Sequence, residues 1–169
     1  PALGAAPTTE TPKTPTAASD FEFNARTGTI KKYTGSDTDI IIPAAIDGIT
    51  VKALDDIFTY SEVTTVVVPS TVKVLGDYEF EGCYSMTDLY FYGVPSNLSS
   101  IAEYSDLGTF TVHCKVKDEE AFMNELDGYV TVEADISDDL ADPAYPSHNL
   151  KYTDNGDGTH SAVCTDAGC

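Results

Sequence analysis

Two stretches of the chain carry three β-branched residues followed by proline, Ile40-Ile41-Ile42-Pro43 and Val66-Val67-Val68-Pro69. Runs of that length and type predict short buried strands. Proline has no N–H to give a sheet, so Pro43 and Pro69 are placed just past the end of each strand. The same series then follows both: two small residues, a β-branched residue (Ile46, Val72), Lys-x-Leu (Leu54, Leu75) and a phenylalanine (Phe58, Phe80). The prolines recur after 26 residues and the phenylalanines after 22, a difference largely accounted for by the extra Asp47-Gly48-Ile49-Thr50 turn in the first copy. Met86 to Gly93 repeats the start of the series a third time.

Alternation elsewhere completes the expected elements. Phe21 to Gly35 alternates around Arg26-Thr27-Gly28, which predicts a hairpin. Phe110 to Cys114 and Gly128 to Ala134 read as strands. Between them Asp118 is placed as a helix cap, with Glu119 and Glu120 in the first turn and Phe122 and Leu126 on one face.

A repeating unit of about 20 to 29 residues with one apolar strand belongs to the leucine-rich-repeat length class. One such unit cannot cover its own apolar side chains, whereas stacked units bury a continuous column and pair their strands in parallel. The expected fold is therefore a leucine-rich-repeat solenoid, α/β and strand-rich, with about two repeats of short parallel strands. A β-hairpin would cap its N-terminal end and a strand-helix-strand its C-terminal end. Leu54, Phe58, Leu75 and Phe80 are the expected core column.

The residues of the second copy, Val63, Val66, Val68, Pro69, Val72, Leu75, Gly76, Phe80 and Cys83, resemble the unit of the BspA-like leucine-rich-repeat family of bacterial cell-surface proteins. The first copy departs from it, with Asp55 at the glycine position and Tyr60-Ser61 where Gly-Cys is usual. The resemblance implies a secreted or cell-surface protein that adheres to protein or glycan partners. It also implies that the Cys83 thiol packs in the core.

The domain layout follows from composition. Residues 1–19 are mostly Pro, Thr and Ala and read as a flexible stalk. The repeat domain is set at 20–132. Residues 133–147, acidic and without periodicity, form a linker, and 148–169 a truncated hairpin unit around Asn155-Gly156-Asp157-Gly158. Its pattern is similar to short His/Tyr/Asn-Gly-Asp-Gly/Cys segments of bacterial surface proteins.

Nine Lys plus Arg against 28 Asp plus Glu give a formal charge of −19, which repels nucleic acid and anionic lipid. The apolar runs are strand-sized, so no membrane span is expected. His148, His160, Cys164 and Cys169 form the one plausible metal set, a structural zinc site. A Cys164–Cys169 disulfide, or neither, are the alternatives; no other cofactor is implied. His113 and Cys114 are neighbours and point to opposite faces of a strand, which argues against a Cys–His nucleophile. With no catalytic constellation, the chain is expected not to be an enzyme. Most tyrosines are assigned to the core. Tyr90 and Tyr92 flank Phe91 and are the candidate ligand-binding pair, since exposed tyrosines are favoured contact residues. The functional expectation is an interaction or adhesion module; the alternative is a passive spacer or accessory domain of a larger surface protein.

Overall fold

The structure, a computed structural model, describes residues 14–103, 110–143, 150–154 and 160–164. In chain order it contains β1 (Phe21–Asn24), β2 (Thr29–Tyr33), β3 (Asp39–Ile41), β4 (Ala45–Ile46), β5 (Ile49–Thr50), β6 (Ala53–Leu54), β7 (Thr65–Val68) and β8 (Asp88–Phe91). After these come α1 (Ser99–Glu103), β9 (Thr111–Lys115), α2 (Glu119–Leu126), β10 (Thr131–Ile136), β11 (Leu150–Asp154) and β12 (His160–Cys164).

Five strands pair in parallel in the order β10-β9-β8-β7-β3. Beside this sheet lies a three-stranded mixed sheet, β1-β2-β6, in which the antiparallel β1–β2 hairpin joins β6 in parallel. Two small hairpins, β4–β5 and β11–β12, complete the strands. The extra segment of the first copy supplies the turn of β4–β5, Asp47-Gly48, and β5 itself.

This mixed α/β fold corrects the expectation of a leucine-rich-repeat solenoid with two caps. The strand-helix-strand is no separate cap: β9 and β10 are full members of the parallel sheet, and α2 is the crossover between them. The N-terminal hairpin does not close the end of the parallel sheet but builds the second one with β6. Successive connections also differ in kind, carrying hairpin and turn segments from β3 to β7, α1 from β8 to β9 and α2 from β9 to β10. The apolar-triplet-plus-proline repeat reports only that β3 and β7 share one environment as neighbours.

The individual elements fall close to where the pattern places them. Pro43 and Pro69 lie beyond the ends of β3 and β7. Leu54, Phe58, Leu75 and Phe80 are buried in one continuous core, with the Phe58 and Phe80 rings stacked at 6.0 Å and 12°. Ile40, Val66, Val68, Leu89, Phe91, Val112 and Cys114 face that core from the parallel sheet. Phe122 and Leu126 cover them from α2, with the Phe122 ring 5.3 Å from Phe91. Asp118 precedes α2 but makes no side-chain cap hydrogen bond.

Close stacking of consecutive turns requires glycine at two points. A Cβ on Gly76 would lie 2.1 Å from Asp56 Oδ1, and one on Gly82 2.2 Å from the Tyr60 ring. Asp56 and Tyr60 themselves adopt positive φ, 57° and 55°, a conformation uncommon outside glycine. The buried Glu79 carboxylate binds the same loop, accepting from the N–H groups of Asp56 (2.9 Å), Ile57 (3.0 Å) and Gly76 (3.3 Å).

Residues near the expected boundaries are drawn into the sheet. Thr16 exchanges two hydrogen bonds with Ile41 along edge strand β3. β10 continues to Ile136, and the residues after it cross the carboxyl ends of the strands. There Asp138 accepts from Lys117 N–H and Asp142 from Ser70 N–H. Residues 1–13 of the stalk lie outside the described residues.

Candidate functional site on the outer face of the parallel sheet

Side chains alternate across a strand, so the register that buries Val66, Leu89 and Val112 turns their neighbours outward. Across the five strands the register aligns Ile41, Val67, Tyr90, His113 and Glu133 in one row. Apolar residues hold one end of it: Ile41, Ala44 and Val67 form a small cluster against which Tyr90 and Tyr92 pack. Titratable residues hold the other.

His113 is the centre of that polar end. It is 7% exposed although it faces away from the core. Its ring stacks on Tyr90 at 4.2 Å and 9°. Nε2 meets Asp88 Oδ1 at 3.0 Å and Nδ1 meets Asp135 Oδ2 at 2.9 Å. Both contacts are hydrogen bonds only when both ring nitrogens carry a proton. Partial burial acts to raise the Asp88 carboxyl, but hydrogen bonds from Thr87 and His113, with the charge of His113, outweigh it and hold the group below its ordinary value. Glu133, the register partner of His113, completes a cluster with Asp135 in which one ligand atom of each of the three residues lies within 4.8 Å of the others.

Tyr90 and Tyr92 both face outward around the buried Phe91 and are half-buried rather than fully exposed. The Lys115 ammonium sits 5.8 Å from the centre of the Tyr92 ring. Most tyrosines were expected in the core, but Tyr60 and Tyr84 are 66% and 69% exposed in loops. Tyr60 borders a groove of about 500 Å³ together with Tyr33, Asp37, Asp56 and Glu62. Burial raises the Tyr33 phenol, which accepts from Asp37 N–H at 3.0 Å.

Cys83 and Cys114 are built for packing. Cys83 is fully buried, and its thiol donates to the Phe58 carbonyl at 2.9 Å. Burial, with the charges of Asp118, Glu119 and Asp135, pushes the Cys114 thiol up to about 12. A nucleophilic cysteine needs the opposite shift. His113 and Cys114 do diverge, one to the outer face and one to the core.

His148 and Cys169 lie outside the described residues; His160 and Cys164 are the terminal residues of β12, described by their backbone alone. The zinc set read from sequence therefore lies outside the residues whose side chains are described. Asp88, Glu133 and Asp135 were not singled out by sequence. Glu133 and Asp135 do share one face of an alternating strand, but the pairing of β8, β9 and β10 is needed to bring them to His113.

Among the described residues no helix is long and apolar enough to cross a membrane. Compared with known proteins, the chain matches no family model, no curated protein and no solved structure. The resemblance to BspA-like repeats rests on the motif residues alone.

Proposed function

We propose that the chain is a non-catalytic binding module of the extracellular surface, and that it takes a protein or glycan partner on the outer face of the parallel sheet. The observation that carries this reading is the row from Ile41 to Glu133. A flat Tyr90–His113 stack stands between an apolar patch and a cluster of carboxylates, with Tyr92 and Lys115 beside it. Aromatic faces next to oriented polar groups suit both sugar rings and protein side chains. The platform is built on five hydrogen-bonded strands and so is formed before a partner arrives, which lowers the ordering cost of binding. Extracellular placement is supported by the motif resemblance, and the charge of −19 disfavours nucleic acid as partner.

The test is a glycan array together with surface plasmon resonance on immobilised extracellular-matrix proteins, run on the chain and on its Tyr90→Ala/Tyr92→Ala variant. Circular dichroism checks that the variant is folded. The expected result is a ligand in one of the two panels whose affinity falls at least about tenfold in the variant, in line with a lost interface anchor. Equal binding by both proteins, or no binding in either panel, refutes the reading.

A further inference from the structure

We propose that His113, Glu133 and Asp135 bind a divalent transition-metal cation, zinc in the first instance, with Asp88 orienting the imidazole from the other side. Neither a partner on the outer face nor the C-terminal His/Cys segment is required for this.

The first support is the ladder between β9 and β10. Glu133 pairs with His113, and an unbroken register would set Asp135 opposite Lys115, where an ion pair could form. The register shifts instead, so that Ile136 stands opposite Lys115. Such irregularities re-aim side chains. Here Asp135 reaches His113 Nδ1 at 2.9 Å, while Lys115 turns to the carbonyls of Asp138 and Leu140.

Charge gives the second. Three carboxylates, Asp88, Glu133 and Asp135, surround one imidazole, and the Glu133 carboxylate has no hydrogen bond or ion pair among the described residues. The carboxylate charge around one imidazole is what a divalent ion offsets.

Geometry and chemistry agree. Metal-bound histidines commonly donate their second ring N–H to a carboxylate, the position Asp88 occupies on Nε2. The Tyr90 stack fixes the ring plane. Ligand atoms on one zinc lie roughly 3 to 3.5 Å apart, given bonds of about 2.0 to 2.2 Å. The Nδ1–Asp135 pair is close to that spacing, and Glu133 and Asp135 are exposed carboxylates free to close the rest. Imidazole with carboxylates suits zinc, and three protein ligands leave a position open to solvent or to a partner's ligand.

The test titrates zinc chloride into the full chain while the ring nitrogens of its three histidines are followed by NMR, with His113 assigned through His113→Gln. The expected result is a saturable shift of His113 Nδ1, weakened at least about tenfold in the exposed-site variant Glu133→Gln/Asp135→Asn and by about 10 to 100-fold in Asp88→Asn. Calorimetry should lose one equivalent of binding in the double variant, which separates this site from any zinc held by His148 or His160. His113 resonances unmoved by millimolar zinc, or equal affinity in the double variant, overturn the proposal.

Discussion

Glu79 should make the protein less stable as the pH rises from about 4.5 to about 7, contrary to the trend set by a carboxylate in a salt bridge. The residue is 2% exposed. Burial pushes its carboxyl from 4.5 up to about 7, against the pull of the N–H donors of Gly76, Ile57 and Asp56 and with the Asp56 charge adding to the rise. Between those two values the folded chain holds a proton that the unfolded chain has released, so folding stability falls with pH. The favourable contribution is full below 4.5 and gone once the pH passes the folded value. A shift of that size corresponds to about 3 kcal/mol at about 1.4 kcal/mol per unit. Urea unfolding of the chain and of Glu79→Gln at steps from pH 4.5 to 8 would measure it. Both proteins share the repulsion among the remaining carboxylates, so the difference between their pH slopes isolates Glu79. The variant should lose most of the 3 kcal/mol slope while being less stable at pH 4.5, because its amide NH₂ faces one of three N–H donors. Parallel curves would refute the reasoning. So would a difference of opposite sign, which would mean that the three donors hold the carboxylate ionised and outweigh its burial.

Gly76→Ala should cost about 1–3 kcal/mol in thermal or urea unfolding, because its Cβ would meet Asp56 Oδ1 and the Asp56 backbone N at 2.1 and 2.5 Å; a change within 0.5 kcal/mol, roughly the level of a neutral surface substitution, would show that the turns part freely. Cys83 and Cys114 should resist iodoacetamide at pH 8 until the chain is unfolded in urea, as read by peptide mapping, since both are fully buried and both thiols are raised. Labelling of Cys114 in the folded protein at the rate of a free thiol would contradict its placement.

Local patterning made much of the inside of the molecule legible. Three β-branched residues before a proline mark β3 and β7 because a buried strand interior suits such side chains and the ladder excludes proline. Alternation around Phe91 turns Tyr90 and Tyr92 outward, and the same rule separates His113 from Cys114. The solenoid expectation failed because a repeat in two segments constrains only those two strands. It cannot say that α2 carries the chain to a further parallel strand, or that the first hairpin finds β6. The exposure of Tyr60 and Tyr84 was not legible for a related reason: loop residues have no period, and the positive φ that presents Tyr60 leaves no mark in the sequence.

The polar end of the outer face was hidden for a stronger reason. Each hydrogen-bond partner of His113 is more than twenty residues distant, at separations of 25 for Asp88 and 22 for Asp135. Those spacings are the lengths of the strand-to-strand connections, so the site depends on pairing order first and on chemistry second. Even the correct order would have set Asp135 against Lys115, since the irregularity in β10 has no proline or glycine to announce it. A salt bridge at that point would have been the simplest use of the two residues. The fold instead gathers the carboxylates around an almost buried histidine and sends the lysine to backbone carbonyls. That arrangement concentrates negative charge where a smooth ladder would have dispersed it. The cost is repulsion among Asp88, Glu133 and Asp135, which falls only when positive charge, a proton on His113 or a bound cation, is placed among them.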